Sequence, residues 1–160
     1  MGHYDVAQIC LNGHFVNSDM MSFPEFNKEY CDRCGDKTIN TCQHCNTDIQ
    51  GSYEEEDIVF AGKYVVPKYC HSCGNSFPWT ESILKASHEL IDIQESLNED
   101  EKKELMESII ILTKDTPLAE VAKIKFKKIV SKLPSQMGES IKNIITDIIS
   151  ESVRKSIYGS

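Results

Sequence analysis

From Glu81 to the end of the chain, apolar residues recur every three or four positions, the spacing of amphipathic helices. Before Trp79 the texture differs: β-branched and aromatic residues come in short runs broken by Gly, Asn, Asp and Cys, the texture of short strands and turns. The pattern therefore predicts an α+β chain, with a β-rich part over 1–79 and an all-α part over 80–160.

Four helices are predicted. The first covers Glu81 to Ser96 with Ile83, Leu84, Leu90 and Ile91 on one face. Thr80 reads as its N-cap, and Trp79 and Leu84 are placed as a hydrophobic staple. Trp79 is then either a hinge to the helices or the filling of a core. The second helix starts after Asn98, with Glu101 three residues on and acids in the first turn. The third has Thr116 as cap and Pro117 at its first position, and stops before Pro134. Its apolar stripe is Leu118, Val121, Ala122, Phe126, Ile129 and Leu133. The fourth aligns Ile141, Ile144, Ile145, Ile148 and Ile149. Short connections between such helices make a compact bundle. In the first half, Ile58–Phe60 and Tyr64–Val66, separated by Ala61-Gly62-Lys63, read as a hairpin.

Cysteine changes the picture of that first half. Six of the seven cysteines form Cys-x-x-Cys pairs, at Cys31/Cys34, Cys42/Cys45 and Cys70/Cys73, and Cys10 is followed by His14 in a tight-turn spacing. An odd count in paired spacing points to metal rather than disulfides. Eight ligands of thiolate and imidazole type suit two closed tetrahedral zinc sites. The frame Tyr-Cys-x-x-Cys-Gly-Asp/Asn occurs twice, at Tyr30–Asp36 and Tyr69–Asn75. Gly35 and Gly74 suit the positive φ that follows such a knuckle, and Asn46 is the next most tolerant residue. The repeat favours sequential ribbons, Cys10, His14, Cys31 and Cys34 for one ion and Cys42, Cys45, Cys70 and Cys73 for the other. An interleaved cross-brace joining Cys10/His14 to Cys42/Cys45 is the rival pairing.

The succession AQICLNGH, YCDRCGD, CQHC and YCHSCGNSFPWTE is similar to an uncharacterised bacterial family, a domain of unknown function, whose members look like double zinc ribbons followed by a helical tail. The resemblance covers about the first half of the chain. It implies zinc ribbons in a bacterial cytosolic setting and carries over no catalytic residue.

Charge narrows the function. Residues 1–79 carry five Lys/Arg against eleven Asp/Glu, a balance of −6, and 80–160 carry twelve against fourteen, or −2, which together give the net −8 of the chain. Thiolate-bound zinc makes the first half more negative still. Phosphate-driven binding needs clustered cations, and the ribbon half lacks them. Only the third helix collects lysines, Lys123, Lys125, Lys127, Lys128 and Lys132. Nucleic-acid binding through Lys123, Lys127 and Lys128 is the alternative this supports, with a solvated face or an acidic neighbour at Glu99–Glu107 as the plainer reading. No His-Glu-x-x-His, phosphate-binding glycine loop, Gly-x-Ser-x-Gly or deaminase signature occurs. His44 and His71 sit between paired cysteines and read as solvent-facing, His88 as a helix-surface residue.

These observations lead to an expectation of a non-catalytic zinc-binding adaptor holding two zinc ions. Its partner would be another protein, with self-association through the helical half as a further route and a membrane ranked last. With no apolar run of bilayer length and no secretion signal at the N-terminus, the expected location is the cytoplasm.

Overall fold

The computed structural model describes residues 1–58 and 62–158, and contains two compact units, Met1–Glu81 and Ser82–Ser160. It is an α+β protein with small antiparallel sheets in the first unit and helices in the second.

The first unit contains five short strands: β1 (His3–Val6), β2 (Gln8–Cys10), β3 (Phe15–Asn17), β4 (Thr38–Ile39) and β5 (Gln50–Glu54). Strands β3, β2 and β4 form one antiparallel sheet, and β1 pairs antiparallel with β5 in another. The tandem ribbons are thus stitched together. A strand lying between the knuckles of the second ribbon pairs with a strand that precedes the first, and the Ala7 amide donates to the Ile49 carbonyl at 2.8 Å beside that seam. Ala7, Ile9, Cys42, Ile49, Cys70, Phe77 and Trp79 form the core of the unit.

The predicted hairpin over Ile58–Val66 needs correction. Residues 59–61 lie outside the described residues, and Tyr64 and Val66 are in no strand. They pack instead on the ribbon core, where the Tyr64 hydroxyl donates to the Gln50 carbonyl at 2.6 Å. The strand of this segment is β5, whose partner comes from the far end of the unit.

Helix α1 (Pro78–Asp92) opens on proline, whose missing N–H costs nothing in the first turn. The helix therefore begins before Thr80, which is not its cap: fully buried, Thr80 donates its hydroxyl to the Lys68 carbonyl at 2.9 Å. Trp79 lies in the ribbon core, stacked on Phe77 at 4.7 Å and donating Nε1–H to the Pro67 carbonyl at 2.8 Å.

In the second unit, α2 (Glu99–Leu112) has the expected capping box, with the Asn98 side chain accepting from the Glu101 amide and the Glu101 carboxylate accepting from the Asn98 amide. Helix α3 (Leu118–Val130) starts one residue later than expected and without a cap from the Thr116 side chain. Its stripe is shifted from the one the sequence suggested. Ala119, Ala122, Phe126, Ile129 and Val130 are buried, whereas Leu118 and Val121 are exposed. The predicted fourth helix is divided into α4 (Ser135–Ile145), a 3₁₀ turn at Thr146–Ile148, and α5 (Glu151–Tyr158). At the break Ile149 is extended and the Ser150 hydroxyl accepts from the Val153 amide at 3.3 Å, which caps the new helix. The break lets both Ile148 and Ile149 turn inward to a core that includes Leu105, Ile109, Phe126, Ile141 and Ile145. No described helix is long and apolar enough to cross a membrane.

Candidate metal centres

Three of the four ligand pairs sit on turns of one design. The amides of Cys31, Cys42 and Cys70 each donate at 2.8 Å to a carbonyl five residues on, those of Asp36, Thr47 and Asn75. The residue after each second cysteine then returns its amide to the first cysteine's carbonyl, at 2.8 to 2.9 Å for Gly35, Asn46 and Gly74. Closing so tight a loop needs positive φ, which is +79° at Gly35, +61° at Asn46 and +75° at Gly74. Amides left inside the turns point at sulfur: Arg33 to Cys31, His44 to Cys42 and Ser72 to Cys70, each at 3.4 Å. The Cys10–His14 turn does the same with the amides of Asn12 and His14, at 3.3 and 3.4 Å from Cys10 Sγ.

The four pairs converge into two groups, Cys10, His14, Cys31 and Cys34, and Cys42, Cys45, Cys70 and Cys73, with all ligand atoms of each group within 4.8 Å of one another. The pairing is sequential, not interleaved. In the first group Cys10 Sγ is 3.8 Å from Cys34 Sγ, and His14 Nδ1 is 3.4 Å from Cys10 Sγ and 3.5 Å from Cys31 Sγ. In the second, Cys42–Cys73 and Cys45–Cys70 sulfurs are both 3.7 Å apart. A tetrahedral ion with metal–sulfur bonds near 2.3 Å and metal–nitrogen bonds near 2.0 Å separates sulfurs by about 3.8 Å and sulfur from nitrogen by about 3.5 Å. A disulfide would need about 2.05 Å. Both clusters therefore have the dimensions to hold a tetrahedral metal ion.

Each cluster is asymmetric. Cys10, Cys31, Cys42 and Cys70 are buried, whereas Cys34, Cys45 and Cys73 are exposed. Burial pushes the Cys10 and Cys42 thiols up to about 11. At the outer end, the Asp36 amide and then the Asn12 side chain hold Cys34 down at about 6, and the Thr47 hydroxyl and then its amide do so for Cys45. Cys73 is lowered by the amide and then the side chain of Asn75. Because the bound form is thiolate, a cation must displace the protons of Cys10 and Cys42, one in each cluster, so its affinity falls in acid.

His44 and His71, exposed, belong to neither group. His44 Nε2 lies 3.8 Å from Glu81, and His88 Nδ1 lies 3.0 Å from Asp92. On α3, Lys123 meets Glu120 at 2.8 Å and Lys125 meets Glu104 at 3.3 Å, and just past its C-terminus Lys132 meets Glu101 at 2.5 Å.

Sequence reasoning missed two supports. Asn12, invisible in any ligand motif, donates its side-chain amide to Cys34 Sγ at 3.3 Å. Asp5 is the other: buried, it accepts from the amides of Val6, Met21 and Ser22 at 2.6 to 3.0 Å, tying β1 to the loop after β3. A charged residue in a strand among hydrophobic neighbours was the available signal. Asp19 and Glu54 have oxygens within 4.8 Å of an Asp5 oxygen, while the Asp5 carboxylate itself accepts the three amides.

The family model described as "Uncharacterized protein conserved in bacteria (DUF2321)" matches residues 3–157, so the likeness extends through the helical unit as well as the ribbons. No curated protein and no solved structure matches the chain. The chain, with its two Cys/His clusters, belongs to the DUF2321 family of uncharacterized bacterial proteins.

Proposed function

We propose that this protein is a non-catalytic adaptor whose ribbon unit is held together by two structural zinc ions and offers its surface to another protein. The observation that carries the reading is the closure of both clusters, which use all seven cysteines and His14 as two complete four-ligand sets. A catalytic zinc keeps a position for water beside three protein ligands, and neither set leaves one. Zinc is favoured over other ions because three thiolates with an imidazole, and four thiolates, are its usual structural ligand sets, and because the sulfur spacings match its bond length.

The charge pattern supports a protein partner over nucleic acid. Lys123 of the candidate triad faces Glu120, and the nearby Lys125 and Lys132 face Glu104 and Glu101, which reduces the field that phosphates would meet. Such exposed pairs add little stability but do neutralise. Affinity purification of the zinc-loaded chain from its native host, at near-native concentration, tests the adaptor reading. Reproducible recovery of the same protein partner is expected, and repeated recovery of a lone monomer contradicts it. Salt-sensitive binding to duplex DNA, abolished by neutralising Lys123, Lys127 and Lys128 together, would put the nucleic-acid reading in its place.

A further inference from the structure

The ribbon unit has a cleft of about 1170 Å³ that the metal clusters do not use. Phe15, Phe23 and Tyr64 are among its walls, and Phe15 and Tyr64 lean together with ring centres 5.5 Å apart. Phe15 is 50% exposed, Phe23 51% and Val65, also on the wall, 78%. Four carboxylates, Asp19, Glu54, Glu55 and Glu56, line it against two basic side chains, His3 and Lys63. His3 lies 3.6 Å from Glu54, which also accepts from the Ser22 hydroxyl at 3.2 Å. The β5 backbone is drawn tightly under the cleft, with the Ser52 amide donating to the Ser18 carbonyl at 2.9 Å.

Two physical facts select what fits. Exposed aromatic rings gathered in one concavity are a surface waiting to be covered. Rings beside carboxylates in a unit of strongly negative balance favour cations whose apolar stems lie on the rings while their charged heads reach the acids. Lysine and arginine side chains have that form. The cleft is also larger than the roughly 300–1,000 Å³ of small-molecule sites, so one small cation does not fill it.

From this we infer that the cleft docks an extended, lysine- or arginine-bearing peptide segment of the partner protein, with Phe15, Phe23 and Tyr64 receiving the stems and Glu54, Glu55 and Glu56 the charges. The inference rests on the adaptor reading and names the chemistry of its partner.

The test uses the full-length, zinc-loaded chain and a fluorescein-labelled octapeptide of alternating arginine and leucine, read by fluorescence anisotropy, with the glutamate–leucine counterpart and spermine as competitors. Phe15→Ala with Phe23→Ala alters no charge, and Glu55→Gln with Glu56→Gln alters no ring. Glu99→Gln with Glu107→Gln removes the same charge from α2 and serves as control. Circular dichroism and zinc content establish that each variant is folded. The basic peptide should bind and weaken roughly tenfold in either cleft variant, with the control unchanged, the acidic peptide inert and spermine a poor competitor. Absence of binding, equal loss in the control, insensitivity to the ring substitutions, or displacement by spermine at matched charge would overturn the inference. If the partner purified from the host is recovered undiminished by both cleft variants, the docking site is wrong and the adaptor reading survives. If no partner is recovered by any form, the adaptor reading itself has failed.

Discussion

At the scale of single residues, the ribbon unit depends on groups that no ligand motif reveals. Burial alone would raise the Asp5 carboxyl, but the amides of Met21, Val6 and Ser22 outweigh it and hold the group below the usual carboxylate value. A group whose pKa is depressed by folding contributes stability that is present above its unfolded value and lost as the pH falls through its folded one. Asp5→Asn should therefore destabilise the unit by about 1–3 kcal/mol at neutral pH, and the difference in melting temperature from the parent should shrink as the pH is lowered. A pH-independent difference would show that the carboxylate charge is not the cause. Gly51 is the second such residue. A Cβ there would stand 2.0 Å from the Ser18 carbonyl oxygen and 3.0 Å from the Asp5 backbone, which cannot retreat as a side-chain tip would. Gly51→Ala should cost about 1–3 kcal/mol in thermal unfolding of the zinc-loaded protein, and a neutral result would mean β5 does not lie this close. Gly35, Gly74 and Asn46 were legible because knuckle spacing specifies where positive φ falls. Asp5 and Gly51 were not, because what they touch, the loop near Ser18 to Ser22, is brought to them by tertiary pairing.

At the scale of elements, local chemistry was readable wherever it was strong. The Asn98–Glu101 capping box starts α2 where its side chains say it should. The three Cys-x-x-Cys turns adopt one hydrogen-bond pattern because their short spacing leaves the backbone few alternatives. Boundaries were misread where a second signal competed. Pro78 starts α1 ahead of Thr80, whose hydroxyl is used by the Lys68 carbonyl, and Ile149 with Ser150 interrupts a stripe of isoleucines that periodicity alone runs together. The β1–β5 pairing could not be read at all, since nothing near Gln50 indicates that its partner is Val6. These differences predict unequal responses to metal removal. The ribbon core is small and includes Cys42 and Cys70 themselves, whereas the helical unit has its own core from Ile91 to Ile157. Since metal binding and folding are one process in small ribbons, a strong chelator should abolish β-sheet signal and amide dispersion from residues 1–81 while the helical signal persists. An unchanged amide spectrum after complete chelation would refute this.

At the scale of the whole molecule, the two units carry different information about function. The ribbon unit holds two metal-sized ligand sets and an acidic, aromatic cleft, while in the helical unit Lys123, Lys125 and Lys132 pair with glutamates. The eight candidate ligands were recoverable from spacing because paired cysteines have few other uses in such a chain, and the repeated Tyr-Cys-x-x-Cys-Gly frame pointed to sequential pairing. The cleft was not recoverable, because its walls come from segments as distant as Phe15, Glu54 and Tyr64. Whether both clusters are closed structural zinc sites is tested directly by zinc K-edge absorption of protein purified without chelator, with the metal quantified in the same sample. The predicted result is two zinc ions per chain sharing seven sulfurs and one imidazole nitrogen, with no water oxygen in either shell. Fewer ions, a different metal, or a bound oxygen would contradict the account and reopen redox or catalytic roles for the cysteines.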